Sequence, residues 1–291
     1  MRLKEARSIA AALVMYAATA LGQTTPPPDT NTANTAQDTN PSAPAANAPS
    51  VPEANPGRPT VATPATLTPV GYLQFETGVL YATGADEFSS QVGINQVTKL
   101  AVHPRLQLIV QSQPVAFSRV SGTHDTDPGD VMLGLQGVVL QGNESGKPTV
   151  ALSYFKHAYA GSAPGIDIGT AENSVLLLVS GDVRGFHYDS NAMFNEQKDG
   201  PLRRGQFGQT ISVSHKLGPF TVAGELWHFT QPLTHGNAVG NLWAVSYPLR
   251  RNLVVDAGFD HGLTSTSTQW EGFAGFTYLL PHRLWGRAEK K

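Results

Sequence analysis

The sequence predicts an all-β protein: an antiparallel transmembrane β-barrel of about 12 strands, preceded by a disordered Pro-rich segment. Three observations carry this. From Tyr72 to Leu280 the chain runs in segments that alternate apolar and polar, each near the roughly 9–11 residues that a tilted strand needs to cross a bilayer. The connectors between these segments alternate in length, as they do when short turns line one rim of a barrel and longer loops the other. Charged residues make up only 14% of the chain, against roughly 25% in soluble domains.

The first element is an export segment. Arg2, Lys4 and Arg7 form a basic start, Ile9 to Leu21 is an apolar run, and Ala18, Ala20 and Gly22 are small, so residues 1–22 read as a signal peptide. The run falls short of the roughly 20 residues of a spanning helix. Beyond it the longest solid apolar stretch is Val175 to Val179. A membrane-embedded mature chain must therefore be a closed barrel, the one other structure that pairs every backbone group in lipid. An exported chain with no cysteine has no disulfide framework, and its stability must come from strand pairing and packing.

Residues 23–68 form the second element. Eleven of the 21 prolines lie between Pro26 and Pro69, among Thr, Ala and Asn. Such a composition buries too little apolar area to offset its ordering entropy. It is expected to be a mobile periplasmic linker, either a neutral tether or a spacer that contacts peptidoglycan.

Barrel strands are expected near 71–83, 88–101, 105–117, 130–140, 148–158, 172–181, 185–196, 206–217, 220–230, 238–247, 252–261 and 269–280. Tight turns fall at Val102 to Arg105, Gly181 to Arg184, Leu217 to Pro219 and Tyr247 to Arg250. The longer links include Ser118 to Gly129, Gly161 to Ala171 and Gly262 to Ser267. An even strand number places both chain ends on the short-turn rim. Tyr81, Phe117, Tyr154, Phe229, Trp243, Tyr247, Trp270 and Tyr278 stand near strand ends, where aromatic residues gather at water–lipid boundaries. Pro281 lacks the N–H to continue a ladder, so the barrel is bounded at 69–280 and residues 281–291 form a basic tail.

Alternation assigns the lumen. Gln74, Gln107, Gln136, His187, Asp189 and Asn191 point inward, together with the candidate permeation lining Glu76, Lys99, Gln111, Glu225, Asp256, Asp260 and Glu271. Carboxylates in such positions bias a pore toward cations or brace a narrow barrel through internal hydrogen bonds.

Other chemistry is not carried by the sequence. A net charge of -2 argues against a nucleic-acid binder. Gly142 to Lys147 is one residue short of a phosphate loop and runs into Pro148, which makes it a polar turn. The nine histidines show no paired ligand spacing, and His124, Asp125 and Asp127 read as a solvated loop. No nucleophile elbow appears. The expectation is a non-enzyme with no cofactor, metal or catalytic residue. Its expected partners are outer-membrane lipid, the barrel assembly machinery and a small-molecule cargo. The alternatives are a closed structural or lipid-modifying barrel and a secreted β-sandwich binding protein.

Three stretches resemble a family of Gram-negative outer-membrane barrels named for meta-pathway phenol degradation: Thr77-Gly78-Val79-Leu80; Gly129 to Gln136 with Pro148 to Leu152; and Val255 to Phe259 with Gly262 to Thr264 and Phe273 to Tyr278. The resemblance covers roughly Pro69 to Leu280. It implies a transporter- or channel-like barrel in the outer membrane for small, aromatic or hydrophobic molecules, without catalytic residues. One departure is Leu280, where barrels of this kind end on an aromatic.

Overall fold

The computed structural model describes residues 52–142, 146–166, 171–199, 201–233 and 236–285. The export segment, the linker up to residue 51, part of the Gly142–Lys147 turn and the end of the tail lie outside them. All regular structure among the described residues is β. The strands are β1 Leu73–Thr83, β2 Ser90–His103, β3 Leu106–Val120, β4 Thr123–Asp127, β5 Val131–Leu140, β6 Thr149–Tyr159, β7 Ala171–Val183, β8 Phe186–Asp199, β9 Leu202–Leu217, β10 Phe220–Gln231, β11 Gly236–Arg250, β12 Leu253–Gly262 and β13 Trp270–Leu279.

Apart from β4, which pairs only with β3, each strand pairs antiparallel with the next, and two junctions close the ring. β1 pairs with β13, Gln74 opposite Leu279 through Thr83 opposite Trp270. β3 pairs with both β2 and β5. Twelve strands thus form a closed barrel with β4 as an extra. Closure excludes the β-sandwich alternative, which would leave edges.

The sequence expectation placed β4 in a loop. Its residues instead continue the line of β5, on the same partner strand: Asp127 faces Ala116 and Val131 faces Ser112. The interruption is Pro128-Gly129-Asp130, where Pro128 has no N–H to donate. Ser121 and Gly122, both with positive φ (49° and 87°), turn the chain at the tip of this ribbon. A two-residue turn between twisted strands requires that conformation. His124, Asp125 and Asp127 therefore stand on a strand rather than in a loop.

The alternation reads as expected. On the outer face Val79, Leu108, Leu135, Leu152, Leu177, Ile211, Leu226 and Phe276 are exposed, an apolar belt suited to lipid. Of the aromatics assigned to the boundaries, Tyr81, Phe117, Tyr154, Trp243 and Trp270 lie exposed on that outer surface. Phe229 does not. It is 1% exposed and packs inside the barrel at 5.8 Å from the Trp227 ring. It shares the phase of Glu225 and Trp227 on β10, and this alternation outweighs its place near the strand end.

The interior holds an apolar layer as well as polar groups. Ile109, Phe155, Leu178, Met193, Trp227 and Phe229 form part of a buried cluster within the ring. Glycines make room for its rings: a Cβ on Gly240 would stand 2.1 Å from Trp227, and one on Gly208 2.5 Å from Phe229. A loop of the long-loop rim folds inward above this layer: Gln91, buried on β2, donates to the Pro164 carbonyl at 2.9 Å.

Candidate functional site

The lumen is occupied by the chain's own N-terminal segment. Ala54 N–H donates to the Arg251 carbonyl in a short turn, and Gly71 N–H donates to Ala101 O. Residues 54–70 therefore enter and leave by the same short-turn rim. Between those points the segment rises into the barrel and returns. Asn55 Nδ2 clasps its neck by donating to Thr66 O and Oγ1, both at 3.1 Å. The linker expected to run freely to residue 68 is thus ordered from residue 52. Burial of Ala62, Ala65 and Thr68, together with hydrogen bonds from the wall, supplies what composition alone seemed to lack.

The wall holds this segment mostly by its backbone. Gln74 is bidentate to Asn55, accepting its N–H at 2.9 Å and donating to its carbonyl at 2.7 Å. Asn191 treats Thr63 the same way, at 2.7 and 2.9 Å. Glu225 accepts two successive amides, Val61 N–H on Oε2 at 2.8 Å and Ala62 N–H on Oε1 at 2.7 Å. Ser180 Oγ accepts from Ala65 N–H at 2.7 Å, Gln107 Oε1 accepts from Thr68 N–H at 2.8 Å, and Gln136 donates to Pro64 O at 3.0 Å. A buried backbone amide without such a partner costs about 1–3 kcal/mol, so these wall groups are what permit the segment to lie inside.

One side chain of the segment carries charge into the lumen. Arg58 binds Asp256 through both carboxylate oxygens, Nε at 3.3 Å and Nη2 at 3.1 Å. Its guanidinium lies over Gly78 and Gly275, which face each other across the β1–β13 ladder. A Cβ at Gly78 would meet Nη2 at 2.4 Å, and one at Gly275 at 2.7 Å, so the two glycines form a slot for it.

The seven candidate lining residues all face inward, but they do not form one open ring. Glu76 pairs with Lys99 at 2.6 Å and accepts Gly57 N–H at 3.0 Å. Asp256 and Glu225 bind the segment as described. Asp260 accepts the Trp227 indole N–H at 2.6 Å and faces Glu271 across the β12–β13 ladder. Gln111 stands apart, in a cavity of about 320 Å³ under the long-loop rim with Asn95, Met132 and Pro164. The acids expected to line a path therefore serve, in this state, to brace the barrel and retain its plug.

Sequence reasoning missed Ser180 and the whole retained segment. A signal was present: within residues 23–68, the only arginine is Arg58 and the only large aliphatics are Val51, Val61 and Leu67. Val61 and Leu67 pack against the interior cluster.

Space remains beside the plug. A cavity of about 620 Å³ opens toward the short-turn rim between the segment and strands β8–β12, with Arg58, His187, Ser214, Lys216, Ser246 and Arg250 among its lining. Near it, Ser180 Oγ donates to Asp189 at 2.5 Å while His187 Nε2 lies 3.3 Å from the same carboxylate. Serine and imidazole thus meet the acid separately, which is not the arrangement of a nucleophile activated by a base.

No protein-family model matches the sequence, and no curated protein does. Solved structures match in fold. The NanC porin superposes with a TM-score of 0.52 at 11% identity, over 71% of this chain and 100% of that chain. An outer-membrane channel from Pseudomonas putida F1 does so with a TM-score of 0.54 at 12% identity, over 78% of this chain and 100% of that chain.

Proposed function

We propose that this protein is an outer-membrane channel whose resting lumen is closed by its own residues 52–68, and that small molecules pass when the segment is withdrawn. The observation that carries this reading is that the segment enters and leaves by one rim, so it can be removed without unthreading the wall. The fold similarity to outer-membrane channels and the lipid-facing belt support the location. Small, aromatic or hydrophobic cargo is supported by the interior cluster, where Val61 and Leu67 now occupy the apolar ground such a molecule would meet.

Withdrawal changes the electrostatics of the path. Glu76 keeps Lys99, whereas Asp256 loses Arg58 and Glu225 loses two amide donors. The open state should therefore prefer cations. In planar bilayers the unaltered protein should conduct rarely, and Arg58→Ala should raise its open probability. Adding Asp256→Asn should keep the pore open and reduce its cation preference. Absence of conductance from all three proteins would leave the closed structural barrel as the better reading.

A further inference from the structure

We propose that the lumen is a receptor for a looped, proline-containing peptide, and that it accepts such a peptide in trans as well as from its own chain. Beside the packing of Val61, Ala65 and Leu67 on the interior cluster, the contacts have the character of peptide recognition. Two wall amides, Gln74 and Asn191, each bind both the N–H and the carbonyl of one residue. Glu225 spans two consecutive amides, as one carboxylate can only where the peptide backbone turns both donors toward it. These wall groups bind main-chain atoms that every peptide has.

Four positions make the reading selective. A Cβ at Gly57 would stand 2.4 Å from Lys99 Nζ, so a side chain there would have to displace the ammonium from its pair with Glu76, which favours glycine. Arg58 is demanded by Asp256 and the glycine slot. Ala62 and Ala65 are fully buried, which leaves no room for a longer side chain. Pro56, Pro59 and Pro64 have no N–H to leave unpaired and restrict the free peptide, which lowers the entropic cost of seating it. The ligand class is therefore a peptide loop of small residues with spaced prolines and a Gly-Arg pair, entering from the short-turn rim. This rests on the wall contacts and holds whether or not the barrel conducts.

The test uses the full chain with its own segment disabled. Gly57→Trp with Arg58→Asp should expel residues 52–68, and barrel formation is checked first by heat-modifiable gel migration. A labelled synthetic peptide of residues 52–69 should then bind saturably to this variant and at least about tenfold more weakly to the unaltered protein, whose tethered segment competes at high effective concentration. N-methylation of the peptide at Val61 and Ala62 removes both donors to Glu225 and should weaken binding about tenfold or more. Glu53→Gln in the peptide, where the carboxylate meets Arg251 in a solvent-exposed pair, should change binding less than about twofold. If the double variant fails to form a barrel, an unaltered chain given a protease site after Pro69, cut once folded and washed free of the released segment, replaces it. Equal binding of the N-methylated peptide, or no saturable binding to a formed barrel with its segment expelled or cut, would overturn the proposal.

Discussion

Arg58 and the two glycines beneath it show how much a single contact decides. The guanidinium is largely buried and its partner Asp256 is almost fully so. Removing one member of such a pair leaves a buried charge uncompensated, at a cost of about 3–5 kcal/mol against the seated segment. The slot allows an independent check. Gly78→Val should expel Arg58 by occupying its place, and should raise channel opening as is expected of Arg58→Ala. Gly272→Val is the control, since a Cβ there meets nothing within 4 Å. It should leave conductance and stability near those of the unaltered protein. Equal behaviour of the two valine variants would show that the slot does not hold the segment.

Among the elements, the strands and the retained segment depend on each other unequally. The ladders satisfy the backbone of the barrel without help, whereas residues 52–68 rely on wall side chains for theirs. The C-terminus adds to the retention. Leu284 N–H donates to Gly71 O at 2.8 Å and Arg283 Nε donates to Val70 O at 3.1 Å, where the segment leaves the lumen. The basic tail that begins at residue 281 is thus bound through Arg283 and Leu284, because it meets the carbonyls of that exit. Deleting Arg283 to Lys291 should leave assembly intact and loosen the segment by about 1–3 kcal/mol, the worth of two hydrogen bonds. Protease sensitivity of residues 52–68 in the folded barrel would measure it. Truncation before Phe276 should prevent assembly, since β13 would lose the residues that pair with Gln74 to Thr77 and the ring would open.

At the scale of the molecule, an apolar outer belt around a closed ring predicts residence in the outer membrane. The protein should fractionate there and migrate differently on gels before and after boiling. Recovery in the soluble periplasmic fraction would contradict this. Orientation follows from the connectors. A cysteine replacing Thr126, exposed on the tall β3–β4 ribbon, should label from outside intact cells, and one replacing Gly218, in a short turn, should not. The reverse pattern would invert the barrel and place the plug's entrance outside.

The sequence by itself determined the barrel. Strand positions, inward and outward faces and the sorting of turns from loops are properties of period two and of local turn chemistry, which neighbouring residues express without reference to distant ones. That is why Glu76, Glu225, Asp256 and Asp260 could be assigned to the lumen from alternation alone. Only the tertiary structure decided what fills that lumen. Arg58 meets Asp256 across 198 positions of chain and Val61 meets Glu225 across 164, separations over which no periodic signal runs. A proline-rich stretch reads as disordered when its own composition is the only measure, because its ordering must be stabilised by groups elsewhere in the chain. Here closure of the ring brings Gln74, Asn191 and Glu225 around one axis, and that convergence turns a linker into a ligand.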